Sequence, residues 1–124
     1  LKIQESAEMY LETILVLSQK NHQVRSIDIA NELNYAKPSV SVAMKNLREN
    51  GYIEMDSDWY ITLTEKGRAI AEAIYERHTL LSEWLIFLGV DKKVATEDAC
   101  RIEHVISAES FEAIKKHVHI HGLN

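Results

Sequence analysis

One proline and four glycines are all that interrupt these 124 residues, and a chain with so few helix breakers is predicted to fold mainly into long helices. The apolar spacing agrees. From about Ser6 to Lys20, the residues Tyr10, Leu11, Ile14, Leu15 and Leu17 recur at helical intervals, with polar residues on the other face. The stretch NHQVRS breaks that pattern. Ser26 is then expected to cap a short helix from Ile27 to Leu33, with Asp28 favourably placed in its first turn.

The segment NYAKPSVSVAMKNLRENGYI carries the strongest local signal. Pro38 suits the first turn of a helix, where its missing N–H costs nothing. Val40, Ala43, Met44 and Leu47 form an inward stripe, and Gly51 is a good terminator. Two helices joined by so short a turn, the second opened by small polar residues, read as a helix-turn-helix. Next, Tyr52-Ile53-Glu54-Met55 and Trp59-Tyr60-Ile61-Thr62-Leu63 flank the turn formers Asp56-Ser57-Asp58, the pattern of a β-hairpin. A helix-turn-helix followed by a hairpin is a winged helix; the alternative is a short helical bundle with an incidental hairpin.

The remainder is predicted to be helical. Thr64 can cap a long helix to about Leu88, with Ile70, Ala73, Ile74, Leu81, Trp84, Leu85 and Leu88 on its buried side and Gly89 ending it. A further helix is expected from Lys93 to Ile106, and Ser107 can cap a last one through His117. The apolar end LLSEWLIFLGV is better explained as a subunit contact than as bare surface, since monomers seldom expose large apolar patches. A symmetric dimer also suits paired DNA half-sites.

Charge bears on the partner. The formal net charge of -5 argues against indiscriminate coating of nucleic acid, yet Lys20, Arg25, Lys37, Lys45 and Arg48 stand against only three acidic residues between Lys20 and Ile53. Hydroxyls and backbone N–H groups at the start of the second helix suit phosphate contact. The expected DNA-contacting set is Ser26, Lys37, Pro38, Ser39, Ser41, Val42 and Lys45. The bland alternative is that its serines are merely good residues near a helix start. The chain has no run of 18 apolar residues, its acidic start lacks a secretory core, and its single cysteine cannot form an internal disulfide. A cytoplasmic location away from membranes is the expectation.

Within EDACRIEHVIS, helical spacing sets Cys100, Glu103 and His104 on one face. Two firm donors and a carboxylate make a partial metal constellation. On spacing alone the commoner reading is a buried cysteine acting as a small hydrophobe, with Glu103 partnering an ordinary His104. Met9 and Glu12 share a face of the first helix, and YERHTLL offers His78. Together with IANELNYAKPSVSVAMKNL, LTEKGR and RHTLLSEWL, the stretches AEMYLETIL and EDACRIEHVIS resemble the iron- and manganese-dependent repressors of the diphtheria toxin repressor and manganese transport regulator family, over nearly the whole chain in unbroken order.

That resemblance implies a mainly α-helical, metal-activated dimeric repressor: a winged-helix DNA-binding domain over 1–66 and a helical metal-binding and dimerisation domain over 67–124, without the SH3-like domain of larger members. By position, Met9, Cys100, Glu103 and His104 match the primary site of the iron type, while Glu12 and His78 match positions of a second, neighbouring site. Thr96 stands where the iron type offers another histidine and Ser82 where a carboxylate is expected, so the ancillary site departs from the pattern. Manganese-type members place carboxylates where Met9 and Cys100 stand. Two sulfur donors beside an imidazole favour Fe(II) over Mn(II), although such a site in isolation binds Zn(II), Co(II) or Ni(II) more tightly. The implied partners are a palindromic double-stranded operator and a second copy of the chain, with no organic cofactor. A metal-independent regulator with a redox-sensing Cys100 is the rival. No glycine-rich loop, nucleophile motif or second carboxylate cluster points to an enzyme. The tail HVHIHG, with His117, His119 and His121 at alternate positions, can take a stray transition metal if extended, although such a tail is more often solvated and incidental.

Overall fold

The computed structural model describes residues 5–21 and 23–122; the outer ends of both expected domains, 1–66 and 67–124, thus lie outside the described residues. The chain forms two compact units, the first ending at Glu72 and the second beginning at Ala73. Among the described residues, no helix is long and apolar enough to cross a membrane.

The first unit opens with α1 (Glu5–Lys20), which buries Leu11, Ile14, Leu15 and Leu17 as the spacing predicts, and Thr13 besides. The Thr13 hydroxyl donates to the Met9 carbonyl at 2.8 Å, so a polar side chain enters the core with its hydrogen bond made. Helix α2 (Ser26–Leu33) starts one residue earlier than expected. Arg25, not Ser26, occupies the N-cap position, and the Asp28 carboxylate reaches back to accept the Arg25 backbone N–H at 2.8 Å. With Asp28 satisfying that end of the helix, Ser26 is not needed as a cap.

Asn34, at φ 58°, turns the chain out of α2, a conformation asparagine tolerates well. After Tyr35 and Ala36 comes α3 (Lys37–Glu49), with Pro38 in its first turn. Val40, Met44 and Leu47 are buried in the first-unit core together with Ile29, Val24 and Ile53, while Ala43 is half-buried. Gly51 takes φ 81°, and the N–H of Tyr52 closes the helix end on the Leu47 carbonyl at 3.0 Å.

Strands β1 (Ile53–Met55) and β2 (Ile61–Leu63) pair antiparallel, Ile53 opposite Leu63 and Met55 opposite Ile61. Both are shorter than the alternating pattern predicts. The Asp56 carboxylate accepts the N–H groups of Asp58 and Tyr60, each at 2.9 Å, and so draws Trp59 and Tyr60 into the turn. The base of the hairpin is locked onto the next helix. Thr64 donates its hydroxyl to the Gly51 carbonyl at 2.7 Å and accepts the Gly67 N–H at 3.1 Å. The Gly67 backbone lies so close to the Tyr52 carbonyl that no Cβ fits there.

Helix α4 (Glu65–Phe87) carries the chain from the first unit into the second, which adds α5 (Lys92–Val105) and α6 (Ala108–Ile120). Leu80, Leu81, Ala99, Phe111 and Val118 form its buried core, flanked by Trp84, Ile102, Ile106 and Ile114. Two expected core positions fail. Ala73 is exposed, and Leu88 lies past the end of α4, 59% exposed, in the turn made by Gly89 at φ 102°. Ile86, Phe87, Leu88 and Val94 are all exposed. Ser107 caps α6 by accepting the Ser110 N–H at 3.0 Å, and that helix continues past His117.

Candidate metal centre and nucleic-acid interface

Helical spacing brings Cys100, Glu103 and His104 to successive turns of α5, and α4 supplies His78 opposite them. The Glu103 side chain is fully buried and that of His104 is 1% exposed. Nδ1 of His78 stands 2.9 Å from Oε2 of Glu103, and Nε2 of His104 stands 3.3 Å from Oε1. An ionised carboxylate removed from water costs several kcal/mol or more unless positive charge faces it. Protonated imidazoles supply such charge; so does a divalent cation held by the same atoms. Imidazole nitrogens and carboxylate oxygens, with the half-buried Cys100 thiol one turn earlier, are a donor set for a borderline transition-metal ion. The residues fit the group that the resemblance implies.

A neighbour absent from the expected set holds this arrangement. Arg77, next to His78, donates Nη1 to the carbonyls of Glu103 at 3.1 Å and Ile106 at 2.8 Å, and its guanidinium lies 5.5 Å from the centre of the Phe111 ring. A cation at the last carbonyls of a helix satisfies acceptors that the helix leaves open. Arg77 thereby ties α4 to the end of α5 that carries Glu103 and His104. The sequence signal was a basic residue beside a candidate ligand in YERHTLL. Lys115 adds a second tie, meeting Glu76 at 2.8 Å; this hydrogen bond, and then the Glu76 charge, hold the ammonium above the usual lysine range.

Met9 and Glu12 stand about one turn apart on α1 in the first unit, both half-buried. The Met9 sulfur accepts the Tyr35 hydroxyl at 3.4 Å, and Tyr35 meets Tyr10 edge-on at 6.1 Å. Burial, and then the neighbouring Tyr35, raise the Tyr10 hydroxyl above the usual tyrosine range. Of the six candidate ligands, two belong to α1 and four to α4 and α5. At the departures from the family pattern, the Ser82 and Thr96 hydroxyl oxygens lie 3.5 Å apart and Thr96 donates to the Lys92 carbonyl at 2.8 Å. Those positions offer neutral hydroxyls in place of a carboxylate and an imidazole.

On the first unit, Lys37, Pro38, Ser39, Ser41, Val42 and Lys45 are exposed on α3, and Ser26 is half-buried at the start of α2. Val42 is 60% exposed. Arg25, Ser26, Ser41, Lys45, Arg48 and Trp59 help to line a crevice of about 370 Å³ between these helices and the hairpin. Arg25 rests 4.3 Å over the Tyr60 ring, which aims its charge. Arg25, Arg48 and Trp59 were not among the expected DNA contacts; the local basic excess signalled the arginines, and nothing signalled Trp59.

Residues 2–58 match the iron-dependent repressor N-terminal DNA-binding domain, and residues 64–119 match the iron-dependent repressor metal-binding and dimerisation domain. The uncharacterized HTH-type transcriptional regulator MJ0568 of Methanocaldococcus jannaschii is 37% identical over 113 residues, 90% of each chain. The transcriptional regulator MntR of Escherichia coli is 32% identical over 118 residues, 95% of this chain and 76% of the relative. Among solved structures, that of the manganese regulator SloR superposes with a TM-score of 0.81 at 27% identity, covering 91% of this chain and 53% of the other. The chain thus spans about half the length of that homologue.

Proposed function

The chain belongs to the iron-dependent repressor family of metal-dependent transcriptional regulators, and from that premise we propose that Fe(II) is its co-repressor, held by Met9, Glu12, His78, Cys100, Glu103 and His104. The observation that carries this reading is the buried Glu103 carboxylate flanked by two imidazole nitrogens. When bound, a divalent cation supplies the positive charge that this carboxylate faces. Glu103 and His104 orient the site from α5, His78 from α4, and Arg77 keeps those helices in register. Ligands drawn also from α1 couple ion occupancy to the DNA-binding half, so that metal and operator strengthen each other's binding reciprocally. The thioether of Met9 and the thiol of Cys100 favour Fe(II) over the oxygen-rich set that suits Mn(II).

The DNA-binding face is α3 with the start of α2: Ser26, Lys37, Pro38, Ser39, Ser41, Val42 and Lys45. Backbone N–H groups, hydroxyls and lysines engage phosphates, and Val42 contacts base edges or thymine methyls. The exposed Ile86, Phe87, Leu88 and Val94 form the contact of a homodimer that reads a palindromic operator in the cytoplasm.

A second reading, Mn(II) as co-repressor, draws on the likeness to the manganese regulator SloR. Duplexes selected from a random library by the metal-loaded protein provide the probe. Binding to them is titrated anaerobically against free Fe(II), Mn(II), Zn(II), Co(II) and Ni(II), with and without chelator. Activation by Fe(II) at lower free concentration than by Mn(II) supports the iron assignment; the reverse order replaces it with manganese. Affinity insensitive to chelator but lost on peroxide treatment transfers the sensing role to Cys100 oxidation.

A further inference from the structure

We infer that His117 and His121 form a second, peripheral metal site on the last turn of α6, one that takes a borderline divalent ion such as Ni(II), Cu(II) or Zn(II) through two imidazole nitrogens. In an extended tail the alternate histidines of HVHIHG would all face one side. The chain is helical there instead. Helix α6 runs to Ile120, and the N–H of His121 donates to the His117 carbonyl at 3.2 Å. With each residue turning the helix by roughly 100°, His121 projects only about 40° away from His117, whereas His119 points about 160° away.

The two rings meet. Their centroids are 4.3 Å apart and their planes tilted by 52°. Both side chains are exposed, so water can complete a coordination sphere, while the buried Val118 between them anchors the turn that carries them. Histidines four apart on a helix are a spacing at which two imidazoles share one ion. A donor set of imidazole and water ranks Cu(II), Ni(II) and Zn(II) above Mn(II) and Fe(II). The spacing exists only while the turn is helical, so an ion bound here stabilises the end of α6 by linkage. None of this depends on the co-repressor reading, because no residue is shared with the buried centre.

The test is Ni(II) binding to the full chain by equilibrium dialysis, combined with amide hydrogen exchange over residues 116–122. Wild type and His119→Ala are expected to bind one more Ni(II) per chain than the His117→Ala/His121→Ala double variant. Each single change at 117 or 121 weakens that extra ion at least tenfold. Exchange at the end of α6 slows with Ni(II) in wild type and in His119→Ala, and not in the double variant. Equal stoichiometry in wild type and the double variant overturns the site, and so does a loss in His119→Ala as large as in the double variant.

Discussion

Nδ1 of His78 lies 2.9 Å from Oε2 of Glu103, joining α4 to α5 around a carboxylate that solvent does not reach. Two residues 25 positions apart in the sequence thus form one polar centre inside the second unit. A buried carboxylate facing imidazoles adds little to stability in itself, because desolvation offsets most of the attraction.

Glu103→Gln keeps the shape of the side chain and removes its charge. Affinity for the activating divalent ion is expected to fall by about 100-fold or more, while the metal-free protein keeps or gains thermal stability. Calorimetric titration and melting curves measure both. Unchanged affinity would remove Glu103 from the ligand set.

In the proposed site Arg77 acts as a positioning residue. Arg77→Ala leaves the carbonyls of Glu103 and Ile106 without their donor and loosens α5 against α4. Metal affinity should drop by about 10–100-fold, the usual range for a group that orients ligands. A variant that melts earlier yet binds metal as tightly as wild type would assign Arg77 to stability alone.

Gly67→Ala forces a methyl group against the Tyr52 carbonyl where the hairpin base meets α4. Destabilisation of about 1–3 kcal/mol is expected from overpacking against backbone, read as a lower urea midpoint. An unaltered midpoint would show that this junction yields easily.

The Lys115–Glu76 pair gives a pH dependence of defined sign. Glu76 raises the folded ammonium above its ordinary value, so the stabilisation is fully present below the unfolded lysine value and is lost as pH rises through the folded one. Wild type should therefore lose its thermal advantage over Glu76→Gln in that alkaline window. The exposed position makes the effect small and salt-sensitive. An advantage that persists above the window would mean the pair acts by packing.

Much of this was legible because periodicity and capping are local. The α1 stripe, Pro38 at the start of α3, Thr64 and Ser107 as caps, and Gly51 and Gly89 as stops all follow from near neighbours. The errors arose where a distant or competing partner decided. Asp28, by accepting the Arg25 N–H, moved the N-cap from Ser26 to Arg25, Asp56 shortened both strands, and the end of α4 left Leu88 exposed. Spacing put Cys100, Glu103 and His104 on one face; only tertiary structure could show Glu103 as the fully buried member with His78 against it. Arg77 was marked only as a basic residue beside a candidate ligand, and its partners are backbone carbonyls, which carry no sequence signature of their own.

The most direct measurement is operator affinity of wild type and His104→Ala, with saturating Fe(II) or Mn(II) and then with chelator, followed by fluorescence anisotropy on the selected duplex. Wild type should bind with metal and release with chelator. His104→Ala should remain a folded dimer and bind weakly in both conditions. Metal-dependent operator binding by His104→Ala equal to that of wild type would contradict the account.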